Sequence, residues 1–317
     1  MTTLKVFYNH NQATEAETSF SPSARKPKLL VEQWQERGKE IEVISDFKPV
    51  TREQYYRVHD QQHVDDILEC RKDNGFDNRS PEIAATLPWT SGSFLAAATE
   101  AFNSGGVAMS PTSGFHHATV NESMGFCTLN GLMVTATELL SLGASKVGIL
   151  DLDHHFGNGT AAIIEWLITT GRARAEYFHH YTVGGDRCFN QVIGKSHSGD
   201  DFFIWKGGDA TQRWLDELPN ILAAFKGCDI VLFQAGADPH VDDPCHTMIG
   251  DAIGIEVVGA LTNEQFIQRD QLVFQTMKDL GIPVAWNLAG GYQVPLQKVL
   301  DIHTGTLDVC LDVYRTE

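Results

Sequence analysis

No apolar run in this sequence approaches the roughly 20 residues that a membrane-spanning helix needs, so no membrane partner is expected. The opening stretch, MTTLKVFYNHNQ, lacks a basic region followed by an apolar segment and a small-residue cleavage site, so no secretory leader is expected. Cysteine is sparse and scattered, at Cys70, Cys127, Cys188, Cys228, Cys245 and Cys310, with no Cys-x-x-Cys. That pattern argues against a disulfide-stapled fold and fits a reduced, cytoplasmic protein whose thiols are packing residues. Positive charge is also short. Lys and Arg number 24 against 41 Asp and Glu, for a formal net charge of -17. Such a field repels nucleic-acid phosphates and favours cationic ligands, so a nucleic-acid partner is not expected. There is no linker, low-complexity tract or fixed-period repeat.

What remains is a chain able to bury a large core: 317 residues, 42% hydrophobic and 21% charged. Short apolar runs alternate with longer stretches of helical period. Strands are expected in LKVFYN, IEVISDF, GGVAMSP, KVGILDLD, AEYFHHY, DIVLFQAGAD and IPVAWNLAGG. Helices are expected around Leu29–Trp34 and over Ser93–Phe102, Leu129–Leu142, Thr160–Thr169, Ala210–Phe225, Glu264–Leu280 and Pro295–Tyr314. Pro219 is expected to interrupt the helix that contains it. Runs such as Val147–Leu150 and Ile230–Phe233 are apolar without alternation, as in parallel strands covered on both faces. The reading is α/β: one domain over 1–317, a mainly parallel sheet sandwiched by helices.

In such a sheet the site lies beyond the carboxyl ends of the strands. The run KVGIL ends in Asp151-Leu152-Asp153-His154-His155, and in extended chain Asp151, Asp153 and His155 share a side. Asp153 and His155 are ligand types suited to Zn²⁺, and Asp238 at the end of DIVLFQAGAD offers a third. Two carboxylates and one imidazole leave an open position, as in catalytic zinc sites. The segment SGFHHATVNESMGFCTLNG follows another strand and holds His116 and His117 among glycines and small residues. NLAGGYQVP puts Tyr292 after Gly290 and Gly291, which reads as a tyrosine on a flexible turn.

Together these four segments resemble the histone deacetylase family, which includes acetylpolyamine amidohydrolases and other bacterial deacetylase-like proteins. The resemblance runs from about Leu4 to the C-terminal helix. It implies a single Zn²⁺ on Asp153, His155 and Asp238, a catalytic set of His116, His117 and Tyr292, and hydrolysis of an acylated amine such as acetyl-lysine. It also places Asp151 behind His116 and Asn158 behind His117. The form Gly-Asn-Gly-Thr is similar to the class II branch, and Asp151 matches a position that binds a structural K⁺. Gly125, Phe126 and Gly291 match substrate-binding positions, with Phe126 one aromatic wall of a tunnel. Phe189 is the candidate for the second wall, and Asp77 for an acidic residue that grips the substrate. The family's serine near the K⁺ site has no counterpart at Tyr177–His179. His154 is read as structural. His63 and Asp66 are read as a solvated helix face, and His240, Asp242 and Asp243 as surface loop residues. The substrates that fit are a protein acetyl-lysine, an acetylpolyamine or another small amide. The competing readings are a dimanganese ureohydrolase, which would need further Asp and His ligands, and a catalytically silent acyl-group binder.

Overall fold

The computed structural model describes residues 3–15, 19–183, 191–196, 202–206, 210–245 and 261–315. Its strands are β1 (Leu4–Phe7), β2 (Ile41–Ile44), β3 (Val107–Ser113), β4 (Val147–Asp151), β5 (Phe178–Val183), β6 (Gln191–Ser196), β7 (Phe202–Lys206), β8 (Ile230–Gly236) and β9 (Val284–Ala289). They form one sheet in the order β2-β1-β3-β9-β8-β4-β5-β6-β7. All pairings from β2 through β5 are parallel. β6 and β7 extend the edge antiparallel. That edge hairpin was absent from the expected strands.

Among the described residues the helices are α1 (Lys26–Glu36), α2 (Arg52–Tyr55), α3 (Gln61–Leu68), α4 (Pro81–Ser104), α5 (Gly131–Ser141), α6 (Asn158–Thr169), α7 (Ala210–Ala223), α8 (Asn263–Leu280) and α9 (Gln297–Tyr314). They cover both faces of the sheet. In β8, Ile230 and Leu232 pack with Phe94, Leu132 and Ile163 on one side. Val231 and Phe233 pack with Leu30, Leu215, Phe274 and Leu307 on the other. A strand with a core on each face needs an apolar residue at every position, which explains the unbroken run. The expected α/β architecture with a mainly parallel sheet is therefore the one found.

Two helices depart from expectation. α4 starts twelve residues before the expected Ser93: Ser80 caps it, accepting the Ile83 N–H at 3.2 Å, and Pro81 occupies its first turn. α7 runs through Pro219 without ending. The apolar positions Trp214, Leu215, Leu218, Ile221 and Leu222 stay buried on both sides of the proline, and their packing offsets the one lost backbone hydrogen bond. Among the described residues no helix is long and apolar enough to cross a membrane.

Candidate active site

β3, β9, β8 and β4 are consecutive neighbours in the sheet. Their carboxyl ends lead to His116 and His117, to Tyr292, to Asp238, and to Asp151 through His155. Four sequence segments far apart in the chain are thus brought to one edge by strand order alone.

β4 ends at Asp151, and the next residues turn instead of continuing extended. Asp151 Oδ1 accepts the Asp153 N–H at 3.2 Å, and Asp153 Oδ1 accepts the His155 N–H at 2.9 Å. Successive aspartates folding back on the backbone in this way are a common turn device. The same-side arrangement expected from strand alternation is still reached. Asp153, His155 and Asp238 each offer a ligand atom within 4.8 Å of the others, the one such group among the described residues. His155 Nδ1 lies 2.9 Å from Asp238 Oδ2 and 3.3 Å from Asp153 Oδ1. Two carboxylates and an imidazole converging on one point, buried or nearly so, fit a borderline divalent cation such as zinc. Burial alone would disfavour a charged His155, yet the two carboxylates hold its pKa well above the ordinary imidazole value. His154 is buried outside this group, and its backbone N–H donates to Asp238 Oδ1 at 3.2 Å.

The two tandem histidines sit 4.1 Å apart, ring centroid to ring centroid. His116 Nδ1 lies 2.7 Å from Asp151 Oδ2, and His117 Nδ1 lies 2.5 Å from Asn158 Oδ1. Burial would lower the pKa of either ring. For His116 the carboxylates of Asp151 and Asp153 outweigh burial and raise it to about 9. For His117 burial and the charge of His116 act together and lower it to about 2. The glycines around Asn158 answer to close packing. A Cβ on Gly157 would stand 2.5 Å from Asp151 Oδ2, and one on Gly159 would stand 2.4 Å from the Ala118 carbonyl oxygen. With both bare, the first turn of α6 slides under the histidine loop, and the Thr160 N–H reaches the His116 carbonyl at 3.0 Å.

The hydroxyl next to Asp151 comes from Thr182, a position not singled out in the sequence. β4 and β5 pair Asp151 with Thr182. The hypothetical Gly157 Cβ would also lie 3.2 Å from Thr182 Oγ1, so both oxygens face one small space.

The turn carrying Tyr292 is closely packed. Gly290 and Gly291 have φ of 50° and 88°, and a Cβ on Gly290 would lie 2.3 Å from the Asp238 carboxyl carbon. The two glycines let the turn seat against Asp238. Asp243 Oδ2 accepts the Tyr292 N–H at 2.8 Å. Asp243 is fully buried, and burial together with the charge of Asp238 raises its pKa to about 7. His240 is also buried, stacked on Phe266 with centroids 5.8 Å apart. Only Asp242 of this trio is exposed, so the surface-loop reading fails for the other two. Their partners lie inward: the Tyr292 N–H for Asp243, and Phe266 with Asn263 for His240. Lys26, the first residue of α1, is also fully buried and donates from Nζ to the Gly290 carbonyl.

An aromatic cluster surrounds Tyr292. Phe126, held at φ 62°, has its ring 5.6 Å from that of Tyr292 and 5.7 Å from that of Phe76. Phe20 packs edge-on against Phe126 at 5.1 Å and lies 5.9 Å from Tyr292, although 65% of it is exposed. Gly125 needs its bare α-carbon because a Cβ there would stand 2.5 Å from His117 Cδ2. Asp77, exposed at φ 55°, follows Phe76 directly. Phe189 lies outside the described residues. Sequence reasoning missed Lys26, Thr182, Phe20 and Phe76 and misread Asp243 as surface, because none stands in a chemically marked motif.

His63 is buried, against the solvated-face reading. Its Nδ1 lies 3.2 Å from Lys72 Nζ, while Asp66 on the same helix is half-buried and binds Arg71. His59, just ahead of that helix, accepts the Asn130 N–H at 2.9 Å, and its Nδ1 lies 2.8 Å from the Thr119 carbonyl oxygen.

Residues 22–179 match the histone deacetylase domain family. That span includes His116, His117, Asp153 and His155; Asp238 and Tyr292 lie beyond it. An uncharacterised protein of Picosynechococcus sp. is 30% identical over 213 residues, 66% of this chain and 64% of that protein. The acetylpolyamine amidohydrolase of Mycoplana ramosa is 29% identical over 194 residues, 57% of this chain and 50% of that enzyme. The chain thus spans half to just under two thirds of the length of these relatives. The crystal structure of the HDA15 HD domain superposes with a TM-score of 0.71 at 20% identity, covering 97% of this chain and 90% of that one, a likeness of fold. Sequence match, fold and the convergence of the four strand ends agree: the chain belongs to the histone deacetylase family.

Proposed function

We propose that the chain is a zinc-dependent amidohydrolase that removes an acetyl or other short acyl group from an acylated amine. The observation that carries this is the meeting of a His–His pair, an Asp–His–Asp group and a tyrosine at the ends of four adjacent strands. Asp153, His155 and Asp238 would hold zinc, which supplies a Lewis acid for the amide carbonyl and for the attacking water.

The protein's own groups then have distinct tasks. His117, kept neutral, takes the proton from the attacking water and returns it to the leaving amine nitrogen as the C–N bond breaks. His116, kept charged by Asp151, stabilises the negative charge that builds on the carbonyl oxygen. Tyr292 donates its phenol hydrogen to that oxygen; burial and the nearby Asp238 hold its pKa well above the ordinary phenol value, so it stays a donor. Phe126, with Phe76 and Phe20, forms an apolar wall along Gly125 and Gly291 for an unbranched chain. Asp77, exposed next to Phe76, would accept an N–H or an ammonium from the substrate. Asp151 and Thr182 offer oxygens for a structural K⁺. We read the whole chain as this one catalytic domain, acting in the cytoplasm.

The net charge of -17 suits a cationic acylated amine. The test is turnover by the zinc-loaded protein across a panel of acyl-lysine peptides and acetylated polyamines. Release of free amine from any of them, abolished by chelation, supports the reading. Stoichiometric zinc with no turnover across the whole panel would leave the silent-binder alternative in its place.

A further inference from the structure

A lysine is almost never fully buried unless its charge is used. Lys26 has no exposed surface, stands at the start of α1, and is outside both the metal group and the histidine pair. Its Nζ donates to the carbonyl of Gly290, two residues before Tyr292. On the far side of the same turn, the Tyr292 N–H is taken by the buried Asp243 at 2.8 Å. The turn therefore has one backbone acceptor and one backbone donor held by two buried side chains, a lysine and an aspartate. Between them lie two glycines whose missing Cβ atoms leave the turn flush against Asp238 and Val299. A bare Gly-Gly turn carries a large conformational freedom, and freedom at this point would move the phenol hydroxyl of Tyr292.

We propose that Lys26 is a positioning residue for Tyr292: with Asp243 it clamps the Gly290–Tyr292 turn so that the phenol is held where the oxyanion forms. The assignment rests on the amide-hydrolysis reading. Lys26 touches no reacting atom. It acts by fixing the carbonyl of Gly290, and through it the Cα position of Tyr292. A neutral side chain of equal length would fill the space but leave that carbonyl without its donor and the turn free to shift.

The test compares Lys26→Met, Lys26→Arg, Tyr292→Phe and the double variant Lys26→Met/Tyr292→Phe in zinc-loaded protein. Lys26→Met should lower kcat on the order of 100-fold, the scale of a misplaced catalytic group, with KM and zinc content unchanged. Lys26→Arg, which keeps a charged donor, should recover most of the loss. In the Tyr292→Phe background, Lys26→Met should change kcat by no more than about twofold, because the hydroxyl it positions is already gone. Independently of turnover, 3-fluorotyrosine at position 292 should give one narrow ¹⁹F resonance in the wild type and a broadened or split one in Lys26→Met. Should Lys26→Met not fold, Lys26→Gln is read in the same way. A loss of kcat that multiplies with Tyr292→Phe, or one that tracks loss of zinc, overturns the clamp. So does an unchanged ¹⁹F line. If no acylated amine is turned over at all while the ¹⁹F line still broadens in Lys26→Met, the clamp stands and the amide-hydrolysis reading is what fails.

Discussion

His117 Nδ1 lies 2.5 Å from the amide oxygen of Asn158, whereas its neighbour His116 meets a carboxylate, Asp151, at 2.7 Å. Burial and the charge of His116 lower His117 to about 2, and the hydrogen bond to a neutral amide does not offset them, whereas the carboxylates of Asp151 and Asp153 outweigh burial and carry His116 up to about 9. Two adjacent, chemically identical side chains are thus set apart, His116 toward a fixed positive charge and His117 toward the neutral form that a proton carrier needs.

The substitution Asn158→Asp puts a carboxylate behind His117 and favours its charged form. Its pKa should rise, by about 1–3 units for a close opposite charge. A base must start neutral, and activity falls as pH drops through its pKa. The low-pH limb of the kcat/KM profile should therefore move to higher pH. An unmoved limb would show that His117 is not the group titrating there.

The metal group predicts one zinc per chain and a sharp contrast between adjacent histidines. His155→Ala should lose zinc and activity, because its Nδ1 faces both carboxylates. His154→Ala should keep zinc and most activity and show only reduced stability, in the 0.5–3 kcal/mol range of ordinary buried substitutions. Elemental analysis of both variants, with thermal melts, decides it; equal zinc loss in the two would mean that His154 also serves the ion. Two equivalents of manganese per chain would favour the ureohydrolase alternative.

Removing the Tyr292 hydroxyl should cost about 100- to 1000-fold in kcat, the loss seen when one oxyanion donor is deleted. The contact is made mainly in the transition state, so KM should change little. Zinc content should be that of the wild type. Near-normal kcat in Tyr292→Phe on a good amide substrate would require another donor or another reaction.

Phe20 touches Phe126 and Tyr292 yet remains 65% exposed, so Phe20→Ala should leave the melting temperature almost unchanged. An aromatic contact of about 0.5–1.5 kcal/mol corresponds to a roughly 2- to 13-fold rise in KM for chain-bearing substrates. Acetylated amines too short to reach the rim should be unaffected. Equal losses for long and short substrates would remove Phe20 from the wall.

Much of this arrangement could be read directly from the chain. A strand with a core on each face must be apolar throughout, so the runs Val147–Leu150 and Ile230–Phe233 by themselves mark a parallel sheet. The polar residues at the ends of such runs had to lie at the rim, which made Asp151 through His155, Asp238, His116, His117 and Tyr292 candidates. Their chemistry is local: Asp153 and His155 are brought together by two hydrogen bonds within five residues.

What sequence could not supply was anything decided by contact across the fold. Lys26 and Asp243 lie 264 and 49 residues from the backbone groups they bind. Thr182 meets Asp151 only through strand register, and Phe20 reaches Phe126 from the far side of the chain. His63 and Asp243 read as surface because charged and polar letters usually are; their burial depended on partners that local periodicity does not encode. The Gly290–Gly291 pair read as flexibility, since glycine permits both freedom and close approach. Only the nearness of Asp238 and Val299 made it close approach. Local pattern determined which residues would reach the rim of the sheet, because strand period and burial are properties of neighbouring residues. Tertiary packing decided how those residues are held and charged, because the groups that hold them are distant in sequence and meet only once the sheet has formed.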